Sequence, residues 1–346
     1  MRNKIYGYLI SGHKNNQIFD LNNKETNRDD CCYPYWLLKK NLETYNIILQ
    51  TPDLPIPKNG IAEFCIYNDY RPNEYTPSST EKKYIIALET PEIHPANAIE
   101  ALPRNANMIF SWRKNLTNLT STHLFFPNKI KLTPQPKYSS RQFFACMIAG
   151  NKSLKIKTKE NLYIERKKTI KWFERNAKDS FHLYGAGWNN PAMPMGKIGR
   201  YIARKIGCIA KIVKHPPFPS YKGKVESKIK TLRNFKYSIC YENIYGYNGY
   251  ITEKIFDCFF AGCIPIYWGA PDIDQYIPAN CYIDRRQFSS HEELLHYLQG
   301  ISEQDFIGYQ ERIHNFLQSD AAKPFSAEYF ANTITKQILQ DLGIPA

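Results

Sequence analysis

The chain has 346 residues, more than the ~250 to 300 at which one hydrophobic core stops growing, so two domains are expected. Hydrophobic residues at 43%, aromatic at 14% and charged at 23% describe a packed globular protein and exclude disorder of the whole chain. The net charge of +14 is concentrated: residues 150–236 carry 22 basic and 5 acidic side chains, whereas residues 237–346 carry 6 and 14.

From the N-terminus, Met1 to Ile10 is basic, but its apolar run is too short for the core of a secretory signal. No window approaches the ~18 to 20 apolar residues of a membrane span. Short β-rich runs alternate with helical periodicity, as in an α/β layer. Strands are expected over 4–10, 46–49, 63–67, 84–88 and 107–110, with a helix over 35–42. Nine cysteines are scattered along the chain without a CxxC pair, several of them inside apolar runs. They read as reduced core thiols in a cytoplasmic protein.

In open α/β sheets ligands bind beyond the carboxyl ends of the strands. Glu89 follows the apolar run Tyr84-Ile85-Ile86-Ala87-Leu88 and precedes Thr90-Pro91, so it would project from a strand tip. A carboxylate there can act as general base towards a hydroxyl, and a salt-bridged strand-end glutamate is the plain alternative. Pro134-Gln135-Pro136 breaks the pattern and marks a linker. The expected division is an N-terminal domain over 1–137, a second domain over 138–320 and a closing helix within 321–346 that packs back on the first domain.

Beyond the linker, strands are expected over 142–148, 181–184, 236–241 and 263–267, and helices over 159–176, 252–260, 291–298, 303–317 and 326–342. Ile198, Ile202, Ile206, Ile209 and Val213 recur at helical spacing, flanked by Lys197, Arg200, Arg204, Lys205, Lys211 and Lys214. This is a basic amphipathic helix. It either packs on the protein's own core or seats on an anionic membrane, from the side. The basic block that contains it suits nucleic acid, an acidic lipid surface or a phosphorylated ligand. Against nucleic acid, there is no zinc-ligand spacing and no interleaving of stacking aromatics.

The richest stretch is Phe235 to Lys254. An apolar strand ends in Glu242-Asn243, a loop rich in tyrosine and glycine follows, and Tyr250-Ile251-Thr252-Glu253-Lys254 opens a helix. Glycine lets a backbone approach a ligand, and the amides of a helix start attract phosphate. Lys254 in the first turn opposes the helix dipole, which makes sense if an anion sits there. Glu253 could accept hydrogen bonds from sugar hydroxyls. Asp272-Ile273-Asp274, after Gly269-Ala270-Pro271, is read as a turn, with no metal expected to be essential.

Tyr241-Glu242-Asn243, Tyr250-Ile251-Thr252-Glu253-Lys254 and Ala261-Gly262-Cys263-Ile264-Pro265-Ile266-Tyr267-Trp268-Gly269 together resemble the donor-binding signature of the α-1,3/4-fucosyltransferases of glycosyltransferase family 10. Leu88-Glu89-Thr90-Pro91 is similar to that family's shorter acceptor-side motif. The resemblance implies a GT-B fold, two Rossmann-like domains facing across a cleft, with GDP-fucose held by the second. It implies an inverting transfer of fucose, α-1,3 or α-1,4, to N-acetylglucosamine in a glycan of the lipopolysaccharide or glycolipid type, by a bacterial enzyme in the cytoplasm or on the inner face of its membrane. Carried over by residue, Glu89 would be the general base and Arg166 and Lys254 would neutralise the diphosphate. Tyr221, Glu242, Asn243, Tyr250 and Glu253 would complete the donor site. A different nucleotide sugar on the same scaffold is the alternative.

Overall fold

The computed structural model describes residues 4–57, 60–114, 116–154, 158–189 and 218–345. The basic amphipathic helix expected over 198–213 lies outside the described residues. The chain divides into two units, Met1–Ile130 with Ala322–Ala346, and Lys131–Ala321. The described helices are α1 (Tyr33–Glu43), α2 (Leu162–Asn176), α3 (Lys228–Leu232), α4 (Glu253–Ala261), α5 (His291–Gly300), α6 (Glu303–Gln318) and α7 (Ala327–Asp341).

In the first unit, β1 (Ile5–Ile10), β2 (Ile47–Gln50), β3 (Ala62–Asn68), β4 (Lys82–Ile86), β5 (Met108–Ser111) and β6 (Ser121–His123) form one sheet in the order β2-β1-β3-β4-β5-β6. Every pairing is parallel. Phe64 to Tyr67 and Tyr84 to Leu88 are buried without interruption, the pattern of strands covered on both faces. Helix α1 carries Pro34 in its first turn, where a missing N–H costs no bond, and buries Tyr35, Leu38 and Leu42 on one face. Phe330 of α7 meets Tyr35 edge to face at 5.6 Å, and the Tyr84 hydroxyl donates to Asp341 at the end of α7. The last helix is thereby part of this unit's core. Because the chain leaves β1 on one side for β2 and returns on the other for β3, the connections diverge between the carboxyl ends of β1 and β3.

In the second unit, β7 (Phe143–Ile148), β8 (Phe181–Tyr184), β9 (Phe235–Tyr241), β10 (Ile264–Trp268) and β11 (Ile283–Asp284) form a parallel sheet in the order β11-β10-β9-β7-β8. Helix α2 starts at Asn161, whose side chain accepts from Tyr163 N. It buries Leu162, Ile170 and Phe173, the last stacked on Phe181 at 5.0 Å. Each such fully buried phenylalanine contributes about 2 kcal/mol by its removal from water. Helix α4 ends at Gly262, in the left-handed conformation (φ 63°) that glycine adopts without strain. Here the connections diverge between β7 and β9, and the residues just past those strands, Ala149-Gly150 and Glu242-Asn243, border the point where open α/β sheets bind ligands.

Candidate functional site

Strand β9 delivers Glu242 to the carboxyl edge of the second sheet, where its side chain is wholly buried (0% exposed). A carboxylate out of water must be compensated. Its Oε1 accepts from Thr252 N at 2.9 Å and from Thr252 Oγ1 at 3.0 Å, and its Oε2 accepts from Lys254 Nζ at 2.8 Å. Thr252 is the N-cap of α4, and Lys254 Nζ also donates to its hydroxyl at 3.0 Å. The anion that Lys254 was expected to answer is therefore, in the first place, a carboxylate of the chain itself. Two of the three ammonium hydrogens are used in this way and, among the described residues, one remains, on a side chain that is 24% exposed. Burial would lower the lysine pKa, but Glu242 and Glu253 outweigh it and raise it.

Arg166, on α2 and almost fully buried, reaches the same strand tip. Its Nη2 donates to Tyr241 O at 2.6 Å, to Glu242 O at 2.8 Å and to Asn243 Oδ1 at 3.1 Å. Burial pulls its pKa down, partly offset by Tyr163 and Glu242. Asn243 Nδ2 in turn donates to the hydroxyl of Tyr250 at 3.4 Å, and Tyr250 is itself buried. Glu253 stands beside Lys254 and pairs at 3.4 Å with Lys228, which also holds Asp257 at 2.7 Å. Burial opposes its ionisation, but Lys254 and Lys228 prevail and bring the carboxyl down to about 2.

The loop between β9 and α4 turns through Gly246 (φ 92°) and Gly249 (φ 78°), and Gly249 N donates to Asp272 Oδ1 at 2.8 Å. Asp272-Ile273-Asp274 is a turn, as expected, with Asp272 immediately before a short 3-10 segment and its carboxylate tying down the glycine loop. Tyr221 lies past β8, half-buried, with its hydroxyl on Gly185 O at 2.8 Å. Hydrogen bonds thus join Arg166, Asn243 and Tyr250 in one cluster and Glu242, Thr252 and Lys254 in another, the two meeting at Glu242. Glu253 is attached through Lys228, and Tyr221 stands at a neighbouring strand tip.

In the first unit β4 ends at Ile86, two residues earlier than expected, and Ala87 to Glu89 run on past it. Glu89 is half-buried. Its N–H donates to Asp69 Oδ1 at 3.0 Å and its carbonyl accepts from Asn97 Nδ2 at 3.0 Å.

Residues 205–314 match the model described as "Glycosyltransferase family 10 (fucosyltransferase) C-term". The matched segment, about a third of the chain, is similar to that family's C-terminal part. It holds the Glu242, Thr252 and Lys254 cluster. An alpha-(1,3)-fucosyltransferase of Helicobacter pylori is 36% identical over 74 residues, 21% of this chain and 15% of that protein. An alpha-(1,4)-fucosyltransferase of Arabidopsis thaliana is 31% identical over 80 residues, 23% of this chain and 20% of that one. The chain therefore spans about a fifth or less of the length of these curated relatives. Among solved structures, an alpha1,3-fucosyltransferase with GDP-fucose superposes with a TM-score of 0.51 at 14% identity, over 97% of this chain and 91% of that one. Anabaena Alr3699/HepE in complex with UDP and glucose superposes with a TM-score of 0.55 at 8% identity, over 97% and 99%. Likeness at such identity establishes the fold, two parallel-sheet α/β domains of the GT-B class.

Sequence reasoning missed Thr252 as the link between Glu242 and Lys254, and missed Lys228 and Asp257. It also missed Asp69 and Asn97 beside Glu89. The threonine was legible, since Thr-Glu-Lys at a helix start is an N-cap pattern. Asp257 lies one turn along α4 from Glu253, whereas Lys228, Asp69 and Asn97 come from other elements that no local pattern links to the site.

Proposed function

We propose that the chain is an inverting fucosyltransferase that moves L-fucose from GDP-fucose to a hydroxyl of an acceptor glycan. One observation carries the reading: within the segment that matches the family 10 model, a lysine held by a buried carboxylate and a capped helix start keeps, among the described residues, one N–H in reserve at the point where such sheets bind ligands. A nucleoside diphosphate leaving group gains negative charge as the anomeric C–O bond breaks. Lys254, with the buried Arg166 behind it, supplies positive charge already oriented before the reaction begins, so no reorganisation is needed in the transition state. Glu253, ionised throughout the neutral range, suits sugar hydroxyls as a hydrogen-bond acceptor, and Asn243, Tyr250 and Tyr221 shape the nucleotide-sugar site around it.

On the acceptor side, Glu89 takes the proton of the attacking hydroxyl as that oxygen bonds to the anomeric carbon and GDP departs from the opposite face. A single displacement needs one base and no enzyme nucleophile, and it inverts the anomeric configuration. The acceptor we favour is N-acetylglucosamine, linked α-1,3 or α-1,4, in a glycolipid or lipopolysaccharide-type glycan, with the enzyme on the cytoplasmic face of a bacterial membrane. The basic block supports this placement. In its described part, Lys168, Lys171 and Arg175 recur on the exposed face of α2, and Lys178 is exposed just beyond its end.

The deciding experiment is calorimetric titration with GDP-fucose, GDP-mannose and UDP-glucose, followed by turnover with N-acetylglucosamine-containing acceptors and NMR of the product anomer. Binding of GDP-fucose with an α-linked product from the β-linked donor is expected. Absence of GDP-fucose binding or turnover overturns the reading. A second reading, the same chemistry with another nucleotide sugar, is favoured by the fold likeness to a UDP-binding chain at TM-score 0.55, and the same donor panel decides it.

A further inference from the structure

The backbone around Glu89 is held in an unusual way. Past the end of β4 the chain has left the regular ladder, so each N–H and C=O needs a partner from elsewhere. Ala87 N still reaches Phe110 O at 2.8 Å, but from there on the partners are almost all side chains. Ala87 O accepts from Ser111 Oγ at 2.9 Å, and Leu88 O accepts from Trp112 Nε1 at 2.7 Å. Leu88 N and Glu89 N both donate to Asp69 Oδ1, at 3.1 and 3.0 Å, and Glu89 O accepts from Asn97 Nδ2 at 3.0 Å.

Asp69 and Asn97 are themselves coupled. Asn97 Nδ2 also donates to Asp69 Oδ1 at 2.8 Å, and its Oδ1 accepts from Tyr70 N at 2.9 Å. Asn97 is completely buried, and its carbonyl receives Arg113 Nη2 at 2.8 Å. Asp69 adopts the left-handed conformation (φ 54°), which aspartate tolerates better than most residues, and its N–H donates to Ile86 O at 2.8 Å. One carboxylate oxygen therefore gathers three N–H donors from two segments. Charge-assisted bonds of this kind are roughly twice as strong as neutral ones.

We infer that Asp69 and Asn97 are positioning residues for the transfer reaction: together they fix the Leu88–Glu89 backbone, so that the Glu89 carboxylate is presented to the acceptor hydroxyl in one place. The inference rests on the reading of Glu89 as general base. Neither side chain transfers a proton itself. Their effect is geometric, and a displacement of a catalytic group by about 1 Å can cost on the order of a hundredfold in rate.

The test is steady-state kinetics of the intact chain with GDP-fucose and N-acetyllactosamine, with kcat and the KM for each substrate measured separately. Asp69→Ala lowers kcat about a hundredfold and leaves the KM for GDP-fucose within about twofold. Asp69→Asn, whose amide oxygen accepts the same N–H groups without the charge, lowers kcat only about three- to tenfold. That graded rescue separates positioning from a general loss of folding. Asp69→Ala with kcat within twofold of the parent, beside a Glu89→Gln chain that has lost transfer, overturns the proposal. Should Asp69→Ala not fold, Asp69→Asn decides: an unchanged kcat overturns the inference, and a loss at constant GDP-fucose KM supports it. Glu89→Gln with undiminished kcat is a different failure, since it removes the base assignment and the inference with it.

Discussion

Replacing Lys254 by methionine keeps the length of the side chain and removes its charge. Glu242, at 0% exposure, would keep Thr252 N and Thr252 Oγ1 as donors but lose its only cationic partner among the described residues. Breaking a buried pair from one side costs about 3–5 kcal/mol, because the remaining charge is stranded. Lys254 is 24% exposed, so water can partly replace it, and about 3 kcal/mol is the expected loss. Glu242→Gln is milder: the amide oxygen still accepts from Thr252, the freed ammonium reaches solvent, and a loss of about 1–2 kcal/mol follows. The double variant strands no charge. It should be at least about 1 kcal/mol more stable than Lys254→Met alone, giving a coupling energy of about 2 kcal/mol or more.

Urea unfolding of the four proteins closes this cycle, and with m near 3 kcal/mol/M the Lys254→Met midpoint falls by about 1 M. GDP-fucose titration of the same proteins separates stability from binding. Lys254→Met and the double variant should both lose about ten- to a hundredfold in affinity, the value of a charge-assisted bond to phosphate, although the double variant has regained its stability. A coupling energy below about 0.5 kcal/mol would mean that the pair is not a buried ion pair in energetic terms. Recovery of donor affinity in the double variant would refute the assignment of the lysine charge to the donor.

Gly269→Ala places a Cβ 2.3 Å from Tyr267 Oη and 2.5 Å from Glu242 Cγ, so overpacking should cost about 1–3 kcal/mol, and an unchanged melting temperature would contradict the close packing beneath Glu242. Asp272→Ala frees Gly249 N from its 2.8 Å bond, and a several-fold weaker GDP-fucose affinity is expected; unaltered affinity would show that the glycine loop does not need this tether. His291, whose Nε2 lies 2.8 Å from Thr169 Oγ1, is held down to about 4 by burial first and then by Arg285 and Lys168, against Glu165. Its folded pKa is below the ordinary 6.5, so the linked stability is complete above pH 6.5 and is lost as pH falls towards 4. His291→Gln should therefore show a smaller drop in urea midpoint between pH 7 and pH 5 than the parent, and an equal drop would place the acid sensitivity elsewhere.

Elements with strong apolar periodicity were legible to within a few residues. Strand β8 falls on the expected residues; α5 and α6 start where expected, behind the caps Ser290 and Ser302, and run on to Gly300 and Gln318, while α2 and α7 start later than expected, behind the caps Asn161 and Ser326. Strand β6, Ser-Thr-His, carries no apolar alternation and exists because β5 offers it an edge. The two-residue β11 and the basic five-residue α3 were missed for the same reason. Of the cysteines read as core thiols, Cys31 is exposed, because it follows a polar turn and not an apolar run. The second-unit cluster was half legible: the lysine's conflict with the helix dipole pointed to an anion, and only the folded connection from β9 to α4 shows that Glu242 supplies one.

The surroundings of Glu89 show where reading from sequence stops. Its clamp comes from Asp69, 20 residues upstream, Asn97, 8 residues downstream, and the stretch around Trp112. None of these has a period relative to Glu89. They meet it because β3, β4 and β5 are neighbours in a particular register, with Asn68 opposite Ile86 and Ile86 opposite Phe110. A one-residue slip of that register would send every side chain of the strand to the opposite face. Asp69 would then no longer reach the Leu88 and Glu89 amides. What makes an isolated glutamate a candidate base is thus the alignment of three strands, a property of long-range pairing that local pattern does not carry. By the same reasoning, substitutions that disturb the β3–β4 register should impair transfer with Glu89 intact, and should leave GDP-fucose binding by the second unit unaltered.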